Sequence, residues 1–316
     1  MRNKILLVIL IVLCLVIVLT YPHVANRSLY NTRTLSRSHQ KIKSASGTIS
    51  FRRKDFNYAQ KHHLQYLKKY IKFPTTFTFP KVVKSLLSVD MSPNAKVEIE
   101  TAYVTPKGFM LYIYPWRSNT WNRHWRIDVN WLVYDDNMVN HKVQSGSDVR
   151  YHQHLNKRLD KNHRIKFPKP FSKVPKVALF LTGWAAADSN IKMYAHNITK
   201  QGFDIKVVNH RNKQYWWFIY DYVASTTKDV EVHKYIKGCW PADKKKCSGI
   251  NKGKSGYRSL TFNTPPGKVR LSGHSQLDYS GPLRSVISNN TSGRNKITTW
   301  NDTKLWLPTV STVVFK

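Results

Sequence analysis

Three landmarks recur three times in the same order along this chain, and that repetition limits its fold more than any other feature. The first landmark is a Ser-Gly pair, at Ser46-Gly47, Ser145-Gly146 and Ser248-Gly249, spaced by 99 and then 103 residues. The second is a Phe-to-Pro-to-Val strand entry: FTFPKVV from Phe77, FSKVPKV from Phe171 and FNTPPGKV from Phe262. The third is a closing strand, HWRIDVNWLVY, WWFIYDYVA and WLPTVSTVVF, ending near Tyr134, Ala224 and Phe315. A pair of further strands lies between the second and third landmarks, with the shortest turn in the last unit. Chance supplies any one landmark easily, but hardly all three in register three times, so the chain holds three copies of one unit.

Each unit reads as strands. Trp125, Ile127, Val129, Trp131 and Val133 alternate with Arg126, Asp128, Asn130 and Leu132, the period of two of a half-buried strand. Short strands separated by Pro, Gly and Asn turns point to an all-β antiparallel sandwich or barrel. The aromatic fraction of 13% suits that class, because aromatic side chains favour strands. Trp125, Trp216 and Trp306 share one position in the closing strands and are expected in the core. One helix is expected within Phe51–Tyr70, where KHHLQYLKKYI carries apolar residues at helical spacing. The expected units are 45–136, 145–226 and 247–316, joined by linkers 137–144 and 227–246. A basic stalk, 23–44, precedes them.

Residues 1–22 are expected to form a hydrophobic helix. MRNK is followed by sixteen uncharged residues, ILLVILIVLCLVIVLT. A helix of that length spans about 24 Å, slightly short for a full membrane span and slightly long for a signal-peptide core. The cleavage signal is poor, so a single-pass membrane anchor through residues 5–20 is expected, with a removed signal peptide as the alternative. Arg27, Arg33, Arg37, Lys41 and Lys43 outnumber Arg2 and Lys4, which by the positive-inside rule keeps the body cytoplasmic. Sequons at Asn26, Asn197, Asn289, Asn290 and Asn301 argue instead for export and are candidate glycosylation sites. Topology stays open between the two. Cys239 and Cys247, eight apart, are a candidate disulfide in an oxidising compartment; a zinc site there lacks two further ligands.

Lys and Arg number 52 against 17 Asp and Glu, a net charge of +35 spread along the whole chain. Such a surface attracts polyanionic or acidic partners. Nucleic acid is disfavoured among them, because no recognisable module accompanies the charge. No G-x-S-x-G, P-loop, HExxH or Cys-His cluster is present, and no paired carboxylates stand at a readable spacing. The sequence therefore offers no catalytic residues, no metal ligands and no cofactor site.

The unit resembles the H-type lectin domain, the family of snail agglutinins and the C-terminal part of discoidins. The resemblance rests on VQSG at Val143–Gly146, on the hairpins VTPKGF from Val104 and ITKQGF from Ile198, and on LDYSGPLR from Leu277 and TWNDT from Thr299. It covers roughly residues 45–316 as three tandem copies. It implies six-stranded antiparallel β-sandwiches, which in the family assemble as trimers with sugar sites at the interfaces. Three copies in one chain would then form a pseudo-threefold trimer alone.

The resemblance also implies a site. The family stacks a sugar on a turn Trp, here matched by Trp116 and Trp300, with His210 in the second unit. The neighbouring sugar-contacting positions are Arg117, Arg211 and Asn301. The chain departs from the sugar-binding members at the arginine before the hairpin, where it has Glu100, Tyr194 and, depending on the gap, Val286 or Ser288. Asp90, Asp188 and Asp278 are loop acceptors without an aligned role. The expected function is that of a membrane-anchored, non-enzymatic carbohydrate-binding or adhesion protein. The alternative is a structural assembly protein, such as a minor capsid or virion membrane-associated protein, using the sandwiches for protein contacts.

Overall fold

The computed structural model describes residues 41–56, 66–92, 96–115, 123–139, 141–151, 163–186, 190–208, 215–236, 257–280, 283–300, 304–305 and 309–316. Apart from two short 3-10 turns, Arg53–Asp55 and Asp136–Val139, all regular structure among them is strand. The strands fall into three consecutive sets. The first holds β1 (Ser44–Arg52), β2 (Leu67–Lys72), β3 (Pro80–Met91), β4 (Val97–Thr105), β5 (Gly108–Tyr114) and β6 (His124–Asp135). The second holds β7 (Val143–Tyr151), β8 (His163–Lys166), β9 (Lys176–Ala186), β10 (Asn190–His196), β11 (Gly202–Val208) and β12 (Tyr215–Ser225). The third holds β13 (Val230–Ile236), β14 (Tyr257–Asn263), β15 (Val269–Ser280), β16 (Leu283–Ile287), β17 (Arg294–Trp300), the two-residue β18 (Lys304–Leu305) and β19 (Thr309–Phe315).

No set keeps its strands to itself. The sheet order β1-β6-β3-β16-β17-β14 joins three strands of the first set to three of the third. The order β2-β5-β4-β9-β12-β7 joins the first set to the second, and β13-β19-β15-β10-β11-β8 joins the third to the second, with β18 added on β15. The pairing closes cyclically, so the all-β architecture is a ring of three interlocked sandwiches in one chain. The joints are antiparallel ladders: Leu283 to Met91 and Arg284 to Asp90, Val97 to Trp184 and Glu98 to Gly183, Ile191 to Leu277 and Lys192 to Gln276. Each joint supplies partners to backbone groups that would otherwise lie on open edges.

Packing follows the same cycle. Register makes Val83, Ala178 and Leu271 equivalent, and all three belong to one buried cluster with Leu132, Val223 and Val313. Two positions further along β3, β9 and β15, Ser85, Phe180 and Gly273 are equivalent, and Phe180 belongs to that same cluster. A Cβ on Gly273 would stand 2.4 Å from the Ser85 Cβ, so two small residues meet where the third is large. Three separate identical subunits could not vary their side chains in this way; one chain can. Polar ties cross between the sets as well. Asp221 accepts from the Lys84 backbone N–H at 2.9 Å and from its Nζ at 3.0 Å, and the Ser147 hydroxyl donates to it at 2.5 Å. At the equivalent place Asn130 Oδ1 accepts from the Ser272 N–H at 2.6 Å.

A ring of larger core surrounds this centre, and the first two sets build it alike. Phe73, Phe77, Phe109 and Trp131 pack in a chain of edge-to-face and tilted ring contacts, as do Phe167, Phe171, Phe203 and Tyr222. The Ser-Gly landmarks serve this core. An added Cβ on Gly47 would meet the Trp131 ring at 2.7 Å, and one on Gly146 the Tyr222 ring at 2.8 Å, because each aromatic lies across its cross-strand glycine.

Four expectations change. The helix expected within Phe51–Tyr70 does not extend over the described ends of that span: Arg53–Asp55 is a 3-10 turn and β2 begins at Leu67, while 57–65 lie outside the described residues. The stretch 227–246, expected as linker, contains β13, which pairs with β19 as β1 pairs with β6. The third first-strand is therefore β13 and not the segment at Ser248-Gly249, which lies outside the described residues. Its glycine position is His233, opposite Thr312, so a small partner removes the need for glycine. Trp125 is only half-buried and belongs to neither core cluster; Trp306 lies outside the described residues.

Candidate functional site

The joint between β3 and β16 sets an arginine opposite an aspartate, Arg284 on Asp90. Val286 pairs with Thr298, and Tyr257 with Trp300. Two residues back from Val286 and two on from Thr298 keep the same face of an antiparallel pair, so Arg284 and Trp300 share a row. Arg284 pairs with Asp90, Asp90 with Arg126, and Arg126 with Arg52. One row thus runs Tyr257, Trp300, Arg284, Asp90, Arg126, Arg52 across six strands and two sets.

The side chains in that row are set by charge. Arg284 Nε stands 3.4 Å from Asp90 Oδ1, an ion contact long for a hydrogen bond, with both side chains partly open at 16% and 18% exposure. The Arg284 guanidinium also lies 5.9 Å from the Trp125 ring centre. Trp125 reaches this position because the register of β3 on β6 shifts at Asp90/Met91, which adds a residue to the closing strand there. Burial raises the Asp90 carboxyl above its usual range, with Arg284 pulling it back. On the next row Asp128 accepts from Arg52 NH1 and Arg126 Nε, both at 2.7 Å. Burial works against the Asp128 charge, yet these bonds and one from Ser50 hold its carboxyl below the usual range. That pair of arginines is already engaged; the Arg284–Asp90 contact is the looser one.

The other two joints lack this pair. The position of Asp90 is Ala185 in the second set and Asp278 in the third, where Asp278 pairs with Asn190 and not with an arginine. At the second joint Glu98 pairs with Gly183 on one side and Tyr114 on the other. Beside Glu98, burial and then Glu100 push the Tyr114 hydroxyl up to about 12, and the exposed Tyr66 ring stands with the half-buried Tyr112 and Tyr114 rings, 5.5 to 6.4 Å apart.

Of the residues expected at the site, Trp300 is described: it is half-buried at the end of β17. Trp116, Arg117, His210, Arg211, Asn301, Asp188, Cys239, Cys247 and Asn26 lie outside the described residues, as does the run 5–20. Among the described residues no helix is long and apolar enough to cross a membrane, and no group of three or more His, Cys, Asp or Glu stands ready for a metal. Asn197 is exposed on a turn and donates to Asp204 Oδ2 at 2.9 Å. Asn290 is exposed, whereas Asn289 turns its amide toward Asn130 at 3.2 Å. Ser288 faces Lys296 as Glu100 faces Tyr112 and Tyr194 faces Lys206, so among the described residues the position before the hairpin carries no basic residue in any set. Arg284 lies four residues earlier and is not singled out by the sequence, because its partner Asp90 belongs to a distant strand.

These features define an all-β class of protein, with interlocked antiparallel sheets and no α-helix among the described residues. The H-type lectin domain family model matches residues 162–225, which run from β8 to the end of β12. That segment is similar to the H-type lectin domain. Two solved structures of discoidin II from Dictyostelium discoideum are similar to it, one of the recombinant and one of the wild-type protein. The recombinant form is 19% identical, covering 50% of this chain and 81% of that one, with a TM-score of 0.25. The wild-type form is 18% identical, covering 51% and 82%, also with a TM-score of 0.25. No curated protein matches the chain.

Proposed function

We propose that this chain is a non-enzymatic carbohydrate-binding protein whose sugar site is the joint between β3 and β16. The observation that carries the reading is the Arg284–Asp90 contact, with the Trp125 ring beside Arg284 and Trp300 in the same row of the sheet. A pyranose has one face of C–H groups that packs on an indole, and hydroxyls that need fixed donors and acceptors. Arg284 offers donors, Asp90 offers acceptors, and the strands hold both in place before any ligand arrives. The lectin-like domain supports the same reading. Membrane tethering through residues 5–20 and an adhesion role fit it, since a tether multiplies weak single sites.

Titration of the full chain with a panel of neutral glycans tests this. Arg284→Ala and Trp300→Ala are each expected to weaken binding about tenfold, the scale of one lost charge-assisted bond or stacking contact. Trp300→Phe should retain most of it. Unchanged affinity in both alanine variants would move the site elsewhere. No neutral-glycan binding at all, with salt-sensitive binding to polyanions, would replace the carbohydrate reading by the assembly one, in which the +35 charge engages acidic partners.

A further inference from the structure

A second site lies between the second and third sets, away from the β3–β16 joint. Three backbone bonds identify equivalent positions after the three closing strands. Asp135 N–H donates to Lys43 O at 3.0 Å, Thr226 N–H to Lys142 O at 2.9 Å, and Lys316 N–H to Asp229 O at 3.0 Å. In the first set this position holds a buried carboxylate. Asp135 accepts from the consecutive amides of Thr78 at 2.8 Å and Phe79 at 3.2 Å, just before Pro80. Consecutive amides converging on one anion form a nest.

In the second set the carboxylate is gone. Counting back from Pro175, the corresponding amides belong to Lys173 and Val174, and Thr226 stands where Asp135 would be. Neither amide makes a hydrogen bond among the described residues. In place of an internal anion there is a cavity of 510 Å³, lined by Lys173, Lys176, Lys228 and Lys316 with Thr226 and Val174. Lys316 contacts Glu231, while the other three lysines make no ion pair among the described residues.

We propose that this cavity is an oxyanion site that takes the sulfate or phosphate ester of an acidic sugar. The first set shows what the nest holds when it is filled from within, a carboxylate on two amides. Four lysines against one glutamate call for a more highly charged group than a carboxylate. The volume is that of a small-ligand pocket and not of an extended groove. Val174, Val230, Val232 and Pro265 offer the apolar surface that a sugar ring covers, and the lining has no Phe, Tyr or Trp on which a nucleobase would stack. The proposal stands independently of the β3–β16 site.

Calorimetric titration of the full chain tests it, with galactose 6-sulfate and galactose 6-phosphate beside inorganic sulfate, galactose and a single-stranded oligonucleotide. The two arms with esters distinguish which oxyanion is preferred. Thr226→Asp restores the internal carboxylate of the first set and is expected to weaken ester binding at least tenfold; Thr226→Ser should leave it within twofold. The double change Lys173→Ala and Lys228→Ala should also cost at least tenfold. Thr226→Asp is expected to melt no lower than the parent chain and to bind neutral glycans unchanged, which separates loss of this site from loss of the other. Equal ester affinity in Thr226→Asp and the parent overturns the proposal. So does inorganic sulfate binding as tightly as the sugar esters, or an oligonucleotide that binds more tightly and loses its affinity in Thr226→Asp.

Discussion

His274→Leu is expected to make the protein both more stable and less sensitive to acid. His274 lies in β15 at the position of Leu86 and Leu181, both of them core residues. It is fully buried, neither ring nitrogen has a hydrogen-bond partner among the described residues, and burial pushes its imidazolium down to about 3. At neutral pH the unsatisfied ring costs about 1–3 kcal/mol that leucine does not. Acid adds to this. The unfolded chain takes up a proton at the ordinary value near 6.5, while the folded one does not until far lower, so stability falls as pH drops below 6.5. At pH 5 that amounts to about 2 kcal/mol, set almost wholly by the 1.5 units between 6.5 and 5 and little by how far the folded value is depressed. His124, buried against Phe56 and lowered to about 4 by burial, contributes about the same amount with the same sign. Urea unfolding at pH 7 and pH 5 should then show the parent losing about 4 kcal/mol and His274→Leu about 2 kcal/mol. Asp128, held below the usual carboxylate range, loses its contribution only at lower pH, and Asp90, raised by burial, acts in the opposite sense. Both are common to the two proteins and cancel in the comparison. A variant that is less stable at pH 7, or that loses as much as the parent on acidification, would refute the reasoning.

Two further outcomes follow from the centre of the ring. Gly273→Ala forces a methyl against Ser85 and should cost about 1–3 kcal/mol by overpacking, read as a lower urea midpoint; Ser85→Gly in the same chain should recover part of the loss. Lys84→Met leaves the Asp221 carboxylate buried without its ammonium and should cost about 3–5 kcal/mol, whereas Lys84→Met with Asp221→Asn should recover most of it. Additive losses in that double variant, measured by the same unfolding, would mean that the pair is not coupled.

Much of the architecture is legible in the residues, for local reasons. The period of two in β6 and the Pro-entered strands β3 and β9 are direct readings of side-chain alternation. The Ser-Gly pairs are legible because a large aromatic opposite them leaves no room for a Cβ. That same dependence on a cross-strand partner hid the third first-strand: with Thr312 opposite, β13 carries His233 and shows no glycine signal. KHHLQYLKKYI shows how a short apolar pattern misleads, since Leu67 and Ile71 suit a helix as well as the β2 edge strand they occupy. Trp125 looked like core by its alternation with Arg126, but a register shift at the end of the ladder turned it toward Arg284.

By itself, then, the sequence determined the all-β strand content, because alternation and turns depend on residues a few positions apart. Which set pairs with which was decided only in three dimensions. The joints depend on backbone groups far apart in the chain, such as Val97 with Trp184 and Asp90 with Arg284, and no local pattern encodes that register. The candidate sites follow the same division. Trp300 announces itself on its turn, whereas Arg284 acquires Asp90, and Thr226 acquires Lys316 beside the lysines of its own set, only when the third set closes the ring against the first and second.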